Sequence, residues 1–407
     1  MAAPHAQAPD KLDLLFVACV KFALMPDQSL ILWDSAEGEE IVTRAAIAGD
    51  FLPAGNLIFP AGVEWRHMAN NLAGYFEDVA ITFVNLECAI ADETLAPRPL
   101  GGIGQVVRAR HESLEYLRSI RAQAVGIANN HSYDFCYDGV VQTRKAILNY
   151  GMIPLGAGRT TKEPPGVFVW QGPNNLRVGF WAAAKATHDV ATAEIRGVEP
   201  ATFKRAAEAV RELKRRGANF CIALLHAGVL RTNRPDPEDL RLIDLFAESG
   251  FNVCAASHSH RLAGYRRIEH SENHPSFGFY GLGSLVSGYV ASPLEREGLI
   301  AVAGFNRHGQ FTRMEIRPVF LDETGFGSIP GQSTCHTILG RFQELSKEIA
   351  DGSYEKLFYR DASQGLFQLY LRDAKAAFRH RGVRGLATKM SRIRLRHMRR
   401  LVRKATG

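Results

Sequence analysis

From Leu14 to about Val319, short apolar runs alternate with amphipathic stretches of helical period, the periodic signature of a layered α/β fold. The runs Ala45–Ala48, Val79–Val84, Ala124–Ile127, Phe220–Leu225, Asn252–Ala255 and Gly278–Tyr280 are short and mainly apolar at successive positions. Strands covered on both faces have that character. Helices are predicted between them at His111–Arg121, Gly139–Tyr150, Pro200–Arg216 and Asp236–Ser249. In the third, Phe203, Ala206, Ala207, Val210 and Leu213 fall on one face, and Gly217 follows as a C-cap. Leu299–Val302 and Met314–Val319 read as closing strands around a turn at Arg307–Gly309. Leu14–Phe22 and Leu30–Trp33 read as a hairpin or an added edge. The segment Gly325–Gln332 (GFGSIPGQ) reads as a linker, with helices at His336–Ile349 and Tyr354–Phe378 beyond it. The chain thus divides into an extension (1–40), a main α/β domain (41–325) and a helical C-terminal segment (333–407).

Composition changes this picture in one respect. The 407 residues hold 49 Lys plus Arg and 42 Asp plus Glu, a formal charge of +7. Twelve of the basic residues and no acidic residue lie in Ala374–Gly407, so the first 373 residues carry 37 basic against 42 acidic groups. The main body is mildly acidic, and its charge gives no reason to expect a nucleic-acid surface. The six cysteines (Cys19, Cys88, Cys136, Cys221, Cys254, Cys335) are scattered without a CxxC pair. That usage fits reduced thiols in a cytoplasmic protein better than a disulfide framework. No stretch reaches the ~18 uninterrupted apolar residues of a membrane span.

The candidate chemistry lies where the strands end. Ala45–Ala48 runs into Gly49-Asp50, Val79–Val84 into Asn85-Leu86-Glu87, and Ala124–Ile127 into Asn129-Asn130-His131 with Asp134. Phe220–Leu225 ends at His226-Ala227-Gly228, and Asn252–Ala255 at Ser257-His258-Ser259-His260. The carboxyl edge of an α/β sheet is where ligands bind. Asp50, Glu87, Asn130, His226, His258 and His260 supply mixed oxygen and nitrogen donors, a set suited to Mn, Fe or Zn. Singly, each has a plainer use, as a helix cap, a turn residue or a satisfied core histidine. Together, six donors suffice for two divalent ions sharing a carboxylate, an arrangement that holds the attacking and leaving oxygens of a displacement at phosphorus. His131, next to a ligand, is placed as a general acid. On a strand, His258 and His260 at i and i+2 would share a face. Gly101-Gly102-Ile103-Gly104 lacks the Lys and Ser or Thr of a phosphate-binding loop.

In this order, these motifs resemble the bacterial capsule synthesis protein family, the CapA or poly-gamma-glutamate synthesis type, within the calcineurin-like metallophosphoesterases. The stretch NNHSYDFCYDG, the Gly151–Gly158 segment and Tyr280-Gly281-Leu282-Gly283-Ser284-Leu285 add to the likeness, which spans roughly Ala45 to Val319. The resemblance implies a four-layer α/β/β/α sandwich, here with the C-terminal helical segment appended. It implies Asp50 and His260 on a first metal, Asn130, His226 and His258 on a second, and Glu87 as the bridge. It also implies His131 as the catalytic acid, with Asp134 as its orienting or structural partner. The chain departs from the family pattern in two places. His226-Ala227-Gly228-Val229-Leu230 lacks the usual aromatic and acidic residues, and Ser257-His258-Ser259-His260 lacks the usual proline.

Two functions follow as expectations. One is a dinuclear-metal hydrolase of phosphoesterase type, acting on a phosphorylated or polymer-related substrate in capsule, exopolysaccharide or poly-gamma-glutamate biosynthesis. The other is a metal-binding accessory subunit of a membrane polymer-synthesis complex, without turnover. The basic tail bears on location. In Leu386–Ala405, Leu386, Met390, Ile393, Met398, Leu401 and Val402 form an apolar arc opposite most of the cations. Such a helix suits the anionic inner face of a membrane, a membrane synthase, or the acidic body of this same chain.

Overall fold

A computed structural model describes residues 28–35, 39–55, 62–98, 106–185, 187, 189–269 and 275–362. The expected Leu14–Phe22 element, the Gly101–Gly104 loop and the basic tail lie outside these residues. The strands are β1 (Leu30–Asp34), β2 (Thr43–Gly55), β3 (Ile81–Leu86), β4 (Ala122–Gly126) and β5 (Ile153–Leu155). There follow β6 (Val167–Gln171), β7 (Arg177–Ala184), β8 (Phe220–Ala227), β9 (Val253–His258), β10 (Tyr265–Ile268) and β11 (Ser276–Phe279). The last are β12 (Ser284–Gly288), β13 (Glu297–Phe305), β14 (Phe311–Leu321) and β15 (Gly327–Ser328). The helices that matter here are α1 (Trp65–Ala69), α2 (Leu114–Ser119), α3 (Cys136–Asn149), α4 (Phe203–Arg215), α5 (Pro237–Glu248) and α6 (Gln332–Asp351).

These strands make two large sheets, beside two small two-stranded pairs, Ala89–Ile90 with Arg108–Ala109 and Ala157–Arg159 with Gly197–Val198. One has nine strands in the order β1-β14-β13-β2-β3-β4-β5, with β12 on β2 and β15 on β14. The other has six, in the order β10-β11-β9-β8-β7-β6. Their parallel centres, β2-β3-β4-β5 and β7-β8-β9-β11, carry the apolar runs. Strand β8 is buried at every position, so each of its faces needs a cover. Between the sheets, Phe83 meets Phe180 edge-on with centroids 5.2 Å apart. On the outer face of the second sheet, Trp181, Phe246 and Phe251 pack with α4 and α5 in a separate apolar cluster. On the first sheet, Phe51 packs against Tyr116 of α2 and Trp65 of α1. Helix, sheet, sheet and helix thus form the four layers.

Several boundaries differ from the sequence reading for local reasons. Helix α4 begins at Phe203 because Thr202 caps it, its hydroxyl accepting from the Arg205 N–H. Phe203, placed there in the first turn, is half exposed and not on the buried face. Asp236 caps α5 and Pro237 opens it. The 111–121 helix is a short 3-10 turn followed by α2. Leu30–Asp34 is an added edge, antiparallel to β14. Within the expected linker, Gly327–Ser328 pairs with β14 as β15. Helix α6 then places Cys335, Ile338, Leu339 and Phe342 in the same core as the sheets. Phe342 stacks on Tyr265 at 5.3 Å, and the Ser346 hydroxyl accepts from the Tyr265 N–H. No helix among the described residues is long and apolar enough to cross a membrane.

Candidate metal centre

The predicted donors come together at the carboxyl edges of both sheets, with Asp50 inside β2, which runs on to Gly55 and does not end before it as the sequence suggested. Gly49 fits its place because a Cβ there would collide with the Gly283 carbonyl, which accepts the Asp50 N–H at 3.1 Å. The β2–β3 register slips between Ala48 and Asp50, and such a bulge re-aims a side chain. Asp50 is fully buried. Its Oδ1 accepts from Asn85 Nδ2 at 2.7 Å, and its Oδ2 from the His258 N–H at 3.0 Å. Parallel pairing of β8 with β9 sets His226 beside Ser257 and Ala227 beside His258, which brings the His226 and His258 rings to 4.5 Å.

Two groups of three result, each with its ligand atoms within 4.8 Å of one another: Glu87, His226 and His258, and Asp50, Glu87 and His260. Glu87 belongs to both. Its Oε1 lies 3.3 Å from His226 Nε2 and its Oε2 3.7 Å from His260 Nδ1. His260 Nδ1 is 3.3 Å from Asp50 Oδ2. Asn130 joins the first group, with Oδ1 2.6 Å from His226 Nε2. The histidine pair does not lie along a strand, as its spacing suggested. His258 ends β9 at φ 122° and His260 follows at φ 55°, so two turned residues bring the rings in.

The electrostatics separate these groups. Burial alone would raise the Glu87 pKa, but the charges of His260 and His226 hold it well below the usual carboxylate range. Burial, reinforced by His226, pushes His258 down to about 4. Burial works against the charge of His260, yet Glu87 and Asp50 outweigh it and push the ring up to about 9. Glu87 Oε2 and His258 Nδ1 are buried without a hydrogen-bond partner, although a buried polar atom is rarely left so. Two orphaned donors facing mixed carboxylate and imidazole groups fit a divalent cation.

Beside this centre, His131 Nδ1 is 2.8 Å from Asp134 Oδ2, which also accepts the Val107 N–H at 2.7 Å. The side chains of Asn85 and Asn129 have roles that the sequence did not assign to them. Asn129 Nδ2 donates to Asn85 Oδ1 at 3.1 Å and to the Leu86 carbonyl at 2.8 Å. Asn129 Oδ1 accepts the His131 N–H at 3.1 Å. This amide chain ties Asp50, through Asn85, to the loop that carries Asn130 and His131. Both asparagines stand in the strand-end motifs, which was the available signal.

Residues 44–289 match the family described as bacterial capsule synthesis protein PGA_cap, and the chain belongs to that family. It is 25% identical over 184 residues to the capsule biosynthesis protein CapA of Bacillus anthracis, an alignment covering 44% of this chain and 43% of that protein. Among solved structures it is similar to the calcineurin-like phosphoesterase YfkN of Bacillus subtilis. That match has 12% identity, covers 76% of this chain and 99% of that one, and has a TM-score of 0.41. A 5'-nucleotidase precursor of Thermus thermophilus matches at 12% identity over 74% of this chain and 58% of its own, with a TM-score of 0.44.

Proposed function

We propose that this protein is a dinuclear-metal-dependent hydrolase of phosphoesterase type, acting in the biosynthesis of a capsule, exopolysaccharide or poly-gamma-glutamate-like surface polymer. The observation that carries this reading is the shared Glu87: two ligand groups meet at one buried carboxylate whose Oε2 has no hydrogen-bond partner. Asp50 and His260 would hold one ion, and Asn130, His226 and His258 the other. Divalent ions held there would supply Lewis acidity, which lowers the pKa of water and draws charge from a phosphoryl oxygen.

The remaining chemistry belongs to the chain. Asp134 accepts from His131 Nδ1, which fixes the ring and leaves Nε2 to carry a proton to the leaving oxygen. Asn85 holds Asp50 in place through its 2.7 Å hydrogen bond, so the oxygen ligands need not reorganise when substrate arrives. The experiment is hydrolysis of phosphomonoesters, phosphodiesters and gamma-glutamyl amides by Mn²⁺-loaded protein. Phosphoester turnover lost in Asp50→Asn supports the reading. Full metal loading with no turnover, together with co-purification with a membrane synthase, would support the accessory-subunit reading instead.

The tail, Ala374–Gly407, is proposed as a contact with an anionic membrane face or a synthase. Flotation with anionic liposomes tests the membrane contact, and equal flotation of a chain ending at residue 373 would refute it.

A further inference from the structure

One strained residue stands at the rim of this centre. Arg231 has φ 63°, a left-handed conformation that a long side chain adopts only when its surroundings impose it. Its N–H donates to the carbonyl of Ser259 at 3.1 Å, and Ser259 lies between His258 and His260. Its Nε is 3.2 Å from Glu295 Oε1. Glu295 is buried and lies close enough to His260 to favour that ring's charge.

Glu295 cannot neutralise its surroundings. Its Oε2 accepts the Ala291 N–H at 2.7 Å, and its Oε1 is shared with a second guanidinium, Arg261 Nη2 at 3.8 Å. Arg261 directly follows His260, and its Nη2 also donates to the Ser292 hydroxyl at 3.3 Å. Its Nε is buried without a hydrogen-bond partner. Two cations thus face one carboxylate. The Arg231 side chain is 45% exposed, and its closest approach to Glu295 is through Nε. A half-exposed guanidinium, ion-paired through Nε on a backbone tied to Ser259, is suited to take an oxyanion.

We propose that Arg231, backed by Arg261, is a specificity-determining residue that binds a phosphoryl group of the substrate at the rim of the metal centre. The proposal rests on the phosphoesterase reading above. Glu295 sets the reach of the fork, and the Ser259 tether sets its distance from the histidines.

The test uses full-length protein loaded with Mn²⁺ and titrated with inorganic phosphate, with bound metal counted in every sample. Arg231→Gly suits the backbone, since glycine adopts this φ without strain. Arg231→Lys keeps the charge and loses the fork. The expected result is unchanged metal content, phosphate affinity at least tenfold weaker in Arg231→Gly, and an intermediate value in Arg231→Lys. Phosphate affinity within twofold of the unsubstituted protein in both variants, at equal metal content, would overturn the proposal and leave the phosphoesterase reading standing. A chain that takes up no metal would instead sink that reading.

Discussion

His131 and Asp134 form a pair whose geometry is set from outside: the carboxylate oxygen that lies 2.8 Å from the ring also accepts the Val107 N–H. Asp134 is buried, while His131 keeps some exposure. The acid partner is therefore the fixed member, and the ring is oriented by it. General-acid help is worth about 10²–10⁴-fold, and a poor leaving group needs it most. His131→Ala should lower turnover of an alkyl phosphate by about that range, with a much smaller loss on a p-nitrophenyl ester, at unchanged metal content. Equal losses on both esters would deny His131 the role of acid.

Metal uptake should release a proton. His260, pushed up to about 9 by Glu87 and Asp50 against the effect of burial, is charged in the metal-free chain at pH 7.5. His258, pushed down to about 4 mainly by burial, is already neutral there. A ligand must give up its proton to bind, so His260 should release about one proton on uptake at pH 7.5, and its share should make apparent affinity rise about tenfold per pH unit toward 9. Calorimetry in two buffers of different ionisation enthalpy measures this directly. The sign for folding is the opposite. A raised histidine pKa stabilises the metal-free fold fully below the unfolded value of 6.5, and that contribution is lost as pH rises through about 9.

Asn85→Ala removes the donor to Asp50 Oδ1 and the acceptor for Asn129. Leaving buried groups unsatisfied costs about 1–3 kcal/mol, and losing a residue that orients metal ligands typically weakens metal affinity about 10–100-fold. Thermal melts and metal titration should both register the change. A melt shift with normal metal affinity would reduce the amide chain to a purely structural tie.

Helix α6 should behave as part of the main body. A Cβ on Gly264 would lie 2.6 Å from the Ser346 N and 2.7 Å from the Leu345 carbonyl carbon, both backbone atoms that cannot rotate away. Gly264→Ala should therefore destabilise the whole domain by about 1–3 kcal/mol in a single unfolding transition. A separate early transition would mean that the helix is only loosely attached.

The strand ends were legible because parallel strands buried on both faces are uniformly apolar, so the first polar residue after each one stands out. Asp50, Glu87, Asn130, His226, His258 and His260 all stand in those polar stretches, and their side chains converge. The pairing of β12 with β2, which places Ser284 opposite Asp50, joins segments more than 200 residues apart and leaves no periodic trace. Gly325–Gln332 looked like a linker because turn formers dominate it, yet an edge such as β15 can pair through its backbone with little side-chain pattern. The conformation of His258 and His260 was hidden for another reason. Spacing assumes extended backbone, and positive φ at a histidine has no compositional mark. The positive φ of Arg231 likewise has no compositional mark.

The proposed function depends most on Glu87 joining two metal sites. Bound metal should be counted by elemental analysis on full-length protein purified without chelator, beside Glu87→Gln and Asp50→Asn. The expected result is about two divalent ions per chain, about one in Asp50→Asn, and near-complete loss in Glu87→Gln. An empty site in the unsubstituted protein, or full occupancy in Glu87→Gln, would contradict it.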